Sequence, residues 1–557
     1  MIRDLVDAKI LFVDANNRLI TPATIDDVEA DAEPEIFKSI PKDNVKKHFD
    51  QGSALVCWSV EIPGDPVSDT WKDNELVEKW KAFDALRNSV MGLCLVSGNE
   101  TAIALKHPAK ILKSVSGAKL ISSDDDSGYT FRGRFTDTKI TKKSMGLQGG
   151  NIGFEVSQKA HNALRWLIER QGFQNNEQAV VAWAVSGRDI PSLLAATTEF
   201  DLNNFDEVEV SSPIIESEAA PVIDHSKDIG QSFAAKLTTY MRGYRARLSD
   251  NDQISIMAID SATPGRMGIT YYRETLPQEY IDQITRWHID MAWPQRVVIE
   301  IPQKKGKPKQ HVTWPISAPS PFLILNAVYG DILHSNKALK KSLIERLIPC
   351  ITEHRDIPRD IVYRAVSRVC NRNAKRLSDE YSNRSSELAA WEKELAVACA
   401  LYKGYLTRNL NRRDISMALD ENNTSRDYLY GRMLALADNI ENYALNKSEE
   451  KRPTSAERLM QRFADRPFST WRNIELALRP YINRLKAGDE KSRGFAYART
   501  QLMSSIQSMF VDAEQFKLDR PLSGEFLLGF HCQRLALTTK SEPVADTKYD
   551  ITEEQEA

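Results

Sequence analysis

The sequence lacks the short motifs by which many enzymes and metal proteins are recognised. Its six cysteines, at positions 57, 94, 350, 370, 399 and 532, form no CxxC pair, which argues against a zinc ribbon. It also contains no GxxxxGK(S/T) nucleotide loop, no HExxH zinc motif and no GxSxG nucleophile elbow. We therefore predict reduced thiols, no cofactor, no bound metal and no catalytic residues.

Long apolar runs are missing as well. No window approaches the length of about 18 uncharged apolar residues that a membrane-spanning helix needs. The first residues, MIRDLVDAKILFVDANN, do not have the basic start and long apolar stretch of a signal peptide. We expect a cytoplasmic protein that makes no contact with a membrane.

The chain has 557 residues, of which 42% are hydrophobic and 27% charged, as is usual for soluble globular proteins. Its patterns predict an α+β fold in several regions. We predict an α+β domain over 1–225, a strand-containing middle region with a basic hairpin over 226–325, and a helical region over 326–540. Residues 541–557 carry six acidic residues and one lysine, a composition typical of a disordered tail.

Strand and helix patterns supply the elements of this fold. AKILFVDANNRLIT predicts a hairpin around Asn-Asn, and QISIMAIDSATPGRMGITYYRETL predicts two strands around Thr-Pro-Gly. RVVIEIPQKKGKPKQHVTW predicts another hairpin with a lysine-rich loop. SQKAHNALRWLIERQG predicts a helix from Ser157 to Gly172, and NNEQAVVAWAVSG predicts a helix that ends at Gly187.

One acidic run is a candidate for metal chemistry. Asp124, Asp125 and Asp126 are consecutive and resemble the carboxylates that bind a divalent metal in nucleases. A two-metal nuclease needs carboxylates from several elements, and no second cluster has a histidine or lysine beside it. The favoured interpretation is a solvated turn before Gly128.

The net charge of −3 conceals basic segments, the first of which lies between residues 103 and 143. It holds nine Lys/Arg against four Asp/Glu and leads into TKITKKSMGLQGGN. Lysines beside Gly-Gly can approach a phosphate chain, and amides can bond to base edges. The alternative is a mobile surface loop. The candidate DNA-binding residues here are Lys139, Lys142, Lys143, Gln148 and Asn151.

The second basic segment is the predicted hairpin loop QKKGKPKQ. Four lysines within six positions repel one another unless solvent or a polyanion surrounds them. A basic hairpin tip is one way to contact a nucleic-acid backbone or enter a groove. The alternative is a solubilising loop. The candidates are Lys304, Lys305, Lys307 and Lys309.

The third is the helix predicted over RDIPRDIVYRAVSRVCNRNAKR. Arg364, Arg368, Arg372 and Arg376 are spaced four apart and would share one helix face. Such a stripe can follow a phosphate backbone. Equally, it can pair with Asp and Glu of a neighbouring helix, and both interpretations stay open.

The fourth basic segment, 451–500, has twelve Lys/Arg against five Asp/Glu. Four aromatic residues are interleaved: Trp471, Tyr481, Phe495 and Tyr497. Basic and aromatic residues together are typical of a groove for single strands, although aromatics at helical spacing more often belong to a core. Arg472 and Arg484 are the candidate strand contacts. The four segments together indicate nucleic-acid binding without catalysis.

The order of segments resembles one family, the large subunit of type I-C Cascade, also called the Csd family or Cas-eight-c. The most specific stretch is SMALDENNTSRDYLYGRMLALADNIENYAL, with its Tyr-x-x-Gly-Arg-x-x-Ala run. CLVSGNETAIALKHPAKILKSVSGAKL and LSGEFLLGFHCQR are also similar to family segments. The chain departs from the family at Ile152-Gly153-Phe154-Glu155 and at Arg165-Trp166, where Ser-Phe-Asn and Tyr-Gly are usual.

The resemblance implies a role in a guide-RNA surveillance complex. Such subunits recognise the protospacer-adjacent motif on double-stranded DNA, aid strand opening into an R-loop and recruit a separate helicase–nuclease. The implied partners are the guide CRISPR RNA, target DNA, and the backbone, guide-handle and small subunits. Region 1–225 would recognise the motif, and the helical region would end in a bundle like the small subunit.

An internal start at Met417 or Met433 would yield that bundle as a separate product, and the alternative is that both are core methionines. Two rival functions remain, a metal-dependent nuclease and a purely structural scaffold subunit.

Overall fold

The structure, a computed structural model, divides into two compact units. The first unit comprises residues 1–106 and 123–157, and the second comprises 107–122 and 158–557. The structure describes residues 2–8, 11–19, 57–64, 68–88, 90–104, 106–115, 117–121, 151–200, 202, 229–263, 265–301, 309–330, 332, 336–371, 384–412, 415–450 and 452–539.

The first unit combines short helices with a hairpin. Val13 and Leu19 form an antiparallel bridge around the turn predicted at Asn-Asn, and Asn17 has a positive φ of 56°. Ser59 and Asp69 form an isolated antiparallel bridge. The elements of the first unit are the helices α1 (Ile2–Asp7) and α2 (Asn74–Asn88) and the hairpin strands β1 (Val90–Leu93) and β2 (Glu100–Ile103).

The main sheet of the second unit has four antiparallel strands in the order β3-β4-β5-β6. The strands are β3 (Phe173–Asn175), β4 (Gln178–Ala184), β5 (Ile254–Thr263) and β6 (Arg266–Thr275). The two strands predicted around Thr-Pro-Gly are confirmed as β5 and β6.

The prediction of a helix over NNEQAVVAWAVSG is wrong, because this stretch begins at the end of β3 and contains all of β4. Nearly every residue of β4 is buried, since the sheet is covered on both faces. Val180 and Ala182 belong to the main core, whereas Ala179 and Val181 belong to a second core. A strand buried on both faces loses the alternation that would distinguish it from a helix.

Helix α3 (Phe154–Gln171) covers the second of these two cores. Leu164 and Ile168 on α3 pack with Val181 and Ile259 of the sheet. The helix begins three residues before the predicted start at Ser157, and Gly172 follows its last residue as predicted. One face of the sheet is thus covered by α3, and the other faces the main core.

A second hairpin and two helices flank the sheet. The strands predicted around the lysine-rich loop are confirmed as β8 (Val297–Ile301) and β9 (Lys309–Thr313). A short pair, β7 (Trp293–Pro294) and β10 (Ile316–Ser317), lies beside them in sequence. The helices are α4 (Ile229–Ala246) and α5 (Pro277–Asp290).

From residue 321 onward, all elements that the described residues form are helices, as predicted. Their helices are α6 (Pro321–Tyr329), α7 (Lys337–Thr352), α8 (Arg359–Cys370), α9 (Arg384–Asn409), α10 (Arg426–Lys447), α11 (Ser455–Asp465), α12 (Pro467–Lys486), α13 (Glu490–Ser508), α14 (Ala513–Lys517) and α15 (Glu525–Thr539). The α+β fold class is therefore confirmed.

Helices α10 and α15 cross in direct backbone contact at the centre of this region. A Cβ added at Gly431 would collide with the carbonyl oxygen of Phe526, and one added at Gly529 would collide with that of Tyr428. Only glycine fits at such a crossing. Both helices are buried along most of their length, and α11, α12 and α13 pack outside α10.

The predicted regions differ in outline from the two compact units. The main sheet joins β4, from the predicted region 1–225, to β5, from the region 226–325. The predicted boundaries at 225, 325 and 540 stay predictions. Among the described residues, no helix has the length and apolar character to span a membrane.

Candidate nucleic-acid interface

The first predicted DNA-binding segment falls mostly outside the described residues. Lys139, Lys142, Lys143 and Gln148 lie there, as does the acidic run Asp124–Asp126. Asn151 is described and half-buried, and its carbonyl accepts a hydrogen bond of 2.8 Å from the backbone N–H of Leu95. The end of this segment is therefore attached to the turn of the β1–β2 hairpin.

The attachment is completed by Gly153 and Cys94. The backbone N–H of Gly153 donates to Cys94 Sγ over 3.1 Å, and that of Ser97 donates over 3.5 Å. Hydrogen bonds from Ser97 and Gly153 lower the pKa of the Cys94 thiol to about 7, because they favour the thiolate. A Cβ at Gly153 would lie 2.9 Å from Thr101 Cγ2, so the chain approaches the hairpin closely here.

The basic hairpin is described at its base only. Lys304, Lys305 and Lys307 lie outside the described residues, whereas Lys309 is exposed and begins β9 opposite Ile301. The pairing of β8 with β9 therefore places Lys309 at the end of the hairpin, beside the loop. The prediction that the lysines bind DNA stays a prediction.

The prediction that four arginines share one helix is wrong. Helix α8 ends at Cys370, and Asn371 leaves the helical region with φ −91° and ψ 67°. Its N–H bonds to the carbonyls of Ser367 and Arg368 close the last turn. Asparagine favours such helix ends because its side chain competes with the helical hydrogen bonds. Arg372 and Arg376 follow the helix and lie outside the described residues.

The two arginines that remain on α8 differ in their contacts. The Arg364 guanidinium is exposed and lies 5.7 Å from the centre of the Tyr329 ring. Arg368 forms an ion pair of 3.2 Å with Glu394 on α9 and packs on Gly330. The alternative of pairing with a neighbouring helix therefore holds for Arg368.

Most aromatic residues of segment 451–500 are engaged in packing. Trp471 is buried in the core, and the Phe495 ring stacks on Tyr443 with ring centres 4.0 Å apart. Arg452 and Arg484 both lie over the ring of Tyr481. Tyr497 is the exception, with 65% of its surface exposed. The interpretation as core residues therefore holds for Trp471, Tyr481 and Phe495.

The two strand contacts predicted in this segment also differ. Arg484 pairs with Glu450 over 3.1 Å and donates to Ser448 Oγ over 2.7 Å. Arg472 is exposed and forms no ion pair with any described residue. Of these two arginines, Arg472 is therefore the one whose charge has no carboxylate partner among the described residues.

Arg472 is one of three exposed cations that follow one face of α12. Arg479 and Lys486 succeed it at seven-residue intervals, each about 10 Å along the helix and within about 20° in angle. Neither forms an ion pair within the described part of the chain. Glu475 is the sole carboxylate of α12 and pairs with none of them. We call Arg472, Arg479 and Lys486 the α12 stripe.

Sequence reasoning missed Arg479 and Lys486. The signal was their seven-residue spacing from Arg472, which places them two and four turns along one helix. Further exposed cations flank the stripe without ion pairs to described residues, namely Arg462 on α11 and Lys491 and Arg493 on α13.

A family model matches the chain over residues 8–538, and its description is CRISPR-associated protein (Cas_Csd1). The chain belongs to this family. It is a Cascade large subunit of type I-C, as the resemblance implied. No curated protein matches the sequence.

The stretch that most resembles the Csd1 family forms the buried α10–α15 crossing. Gly431 lies at the contact, and Arg432 is 2% exposed and donates to Gln533 Oε1 over 3.0 Å. Burial lowers the pKa of Arg432, because the charged form loses its hydration. In this Csd1-family subunit, the buried Tyr-x-x-Gly-Arg-x-x-Ala run of the signature therefore stabilises the fold.

The two methionines of the predicted internal start also lie in this region. Met433 is fully buried within α10, and Met417 packs partly buried against the main core. Both positions agree with their interpretation as core methionines.

Two other buried cations, Arg408 and Lys403, have polar partners at the end of α5. Arg408 pairs with Asp290 over 2.7 Å, and Lys403 donates to the carbonyls of Ile289 and Asp290 at the end of α5. Burial lowers the pKa of Lys403 to about 8. The described residues include no group of three or more ligands suited to a metal ion.

Proposed function

We propose that this Cascade large subunit binds nucleic acid and catalyses no reaction. Its role would be to recognise the protospacer-adjacent motif on double-stranded target DNA, aid strand opening and recruit a helicase–nuclease. The α12 stripe is the observation that carries the proposal for the helical region. Three cations that have no carboxylate partner within the described parts of the chain lie in a row on one helix face.

The stripe suits a phosphate chain for an electrostatic reason. Cations that have protein partners gain little from a polyanion, because binding must first break their ion pairs. The cations of the stripe keep their full charge in solvent, and contact with phosphates releases counterions from the nucleic acid. Tyr497, exposed on α13, offers a ring on which a base can stack.

The different regions would contact different parts of the DNA. Lys139, Lys142, Lys143, Gln148 and Asn151 would contact the duplex at the motif, and Lys304, Lys305, Lys307 and Lys309 would also contact DNA. The α12 stripe, with Arg364, would contact the displaced strand. The guide CRISPR RNA and the backbone, guide-handle and small subunits would complete the complex.

The test is a salt series of duplex-DNA binding by the assembled complex, with and without this subunit. Affinity that depends on the motif, disappears without the subunit and falls steeply with salt is the expected result. Motif-dependent binding that survives removal of the subunit would leave the chain as a scaffold.

The absence of catalysis has its own test. The purified chain is incubated with labelled single- and double-stranded DNA in Mg²⁺ or Mn²⁺, and we expect intact DNA. Cleavage that is abolished by Asp124→Asn, Asp125→Asn and Asp126→Asn together would establish the nuclease instead.

A further inference from the structure

The chain contains two segments of opposite charge whose relation the fold constrains. Segment 451–500, which carries the α12 stripe, has twelve Lys/Arg against five Asp/Glu. Segment 541–557 has six Asp/Glu and one lysine. We propose that segment 541–557 binds the α12 stripe when nucleic acid is absent, and that the two compete. The competition, but not the binding, rests on the function proposed above.

The start of the acidic segment is fixed by α15, which ends at Thr539. Arg534 in α15 pairs with Asp438 over 3.5 Å, and Asp438 accepts a hydrogen bond from the side chain of Thr454. Thr454 caps the N-terminus of α11. The C-terminal part of α15 therefore lies near the start of α11.

The stripe lies within reach of this point. Helix α11 is about 16 Å long and α12 about 30 Å, from the rise of 1.5 Å per residue. Arg466 alone separates the two helices. Seventeen residues span at most about 60 Å when extended. Acidic side chains of segment 541–557 can thus contact every cation of the stripe.

Charge favours the stripe over the neighbouring basic residues that already have acidic partners. Arg452 and Arg484 already pair with Glu450, and Lys447 pairs with Asp489. The stripe and the flanking Arg462 have no such partners within the described residues. Since the segment is tethered, its effective concentration at the stripe is on the order of millimolar, so weak charge pairs suffice for occupancy.

Binding is tested directly with a fluorescein-labelled peptide of sequence 541–557. The receptor is the full chain with its own segment neutralised by Glu542→Gln, Asp546→Asn, Asp550→Asn, Glu553→Gln, Glu554→Gln and Glu556→Gln. We expect saturable anisotropy that weakens with salt. It should disappear when Arg472→Gln, Arg479→Gln and Lys486→Gln are added.

The matched control removes the same number of exposed positive charges elsewhere. Lys72→Gln, Lys79→Gln and Lys81→Gln lie in the first unit, where these lysines pair with neighbouring acids. Peptide binding should persist in this control. Equal loss in both variants, or no binding to either receptor, would overturn the proposal.

The wild-type chain allows a second measurement that needs no variant. A carbodiimide joins carboxylates directly to amines in contact, and Lys486 is the stripe residue with an amine. Mass spectrometry should identify a link between Lys486 and an acidic residue of 541–557, which high salt abolishes. A lack of such a link, with links to other lysines formed, would contradict the proposal.

Competition is measured with a labelled 20-nucleotide single strand. If the segment occupies nine-tenths of stripes, neutralising it should tighten DNA binding about tenfold at low salt. Peptide binding without any DNA binding would support the docking and refute the proposed function. DNA binding that depends on the stripe, without peptide binding, would refute the docking and leave the proposed function intact.

Discussion

Helices α10 and α12 both carry arginines, yet the two helices use them differently. On α10, Arg426 is 9% exposed and donates to the carbonyls of Gln515, Leu518 and Arg520. On α12, Arg472 and Arg479 are exposed and have no carboxylate partner among the described residues. The first kind of arginine connects segments of the fold, and the second remains available to a ligand.

This difference teaches that the charge of a sequence segment is not the charge available at the surface. Arg484 lies on the same helix as Arg472, but Glu450 compensates it. Arg368 was predicted to bind a strand, and Glu394 compensates it. Packing against α10 decides which faces of α12 are exposed, and thus which cations remain free.

The largest expected effect is at the crossing of the central helices. Gly431→Ala should destabilise the protein by about 3 kcal/mol or more, because the added Cβ collides with the Phe526 carbonyl. The matched control is Gly494→Ala on α13, where nothing lies within 4 Å of the added Cβ. That change should stabilise by about 0.5–1 kcal/mol. Urea unfolding measures both, and equal effects would refute the close crossing.

The next effect separates the two kinds of arginine. Arg426→Met should cost about 2–3 kcal/mol, because the carbonyls of Gln515, Leu518 and Arg520 lose their hydrogen bonds to a buried, charged donor. Arg472→Met should change the free energy of unfolding by no more than about 0.5 kcal/mol. Thermal or urea unfolding of the two variants gives the comparison. A large cost for Arg472→Met would mean that the stripe is structural.

A pH series should affect the central region and not α12, which has no histidine. Burial, with Arg534 nearby, lowers the pKa of His531 to about 3, and the Trp293 indole donates to its Nδ1. Below pH 6.5, the ordinary pKa of histidine, this side chain binds a proton in the unfolded chain but not in the folded chain. The free energy of unfolding should therefore fall by about 2 kcal/mol per such histidine between pH 7 and pH 5.

His288 should also lower the free energy of unfolding as the pH falls, since burial lowers its pKa to about 3 as well. Urea midpoints at the two pH values measure the slope. His531→Gln should remove about half of this histidine-linked slope. An unchanged slope in that variant would show that His531 does not carry it.

Sequence patterns predicted the fold best where turn chemistry and alternation agree. The β5–β6 hairpin follows from Thr-Pro-Gly between alternating strands, and the helices after residue 326 lie in the region that was predicted to be helical. Strand β4 was predicted as a helix because long-range pairing with β5 buries both of its faces, which no local pattern reveals. The end of α8 at Cys370 was not predicted, because the four-residue spacing of the arginines continues past Asn371.

The candidate site was predicted less completely. The excess charge of segment 451–500 and Arg472 were found from the sequence, whereas Arg479 and Lys486 were not. The partners that neutralise Arg368 and Arg484 come from other helices, so tertiary structure alone separates compensated from free cations.

The most direct test of the central claim is a salt series of single-strand DNA binding by the chain with Arg472→Gln, Arg479→Gln and Lys486→Gln. We predict an unchanged unfolding midpoint, weaker binding, and a slope of log affinity against log salt that falls by about 2 for three lost phosphate contacts. The control with Lys72→Gln, Lys79→Gln and Lys81→Gln should keep the wild-type slope. Wild-type affinity and slope in the stripe variant would contradict the account.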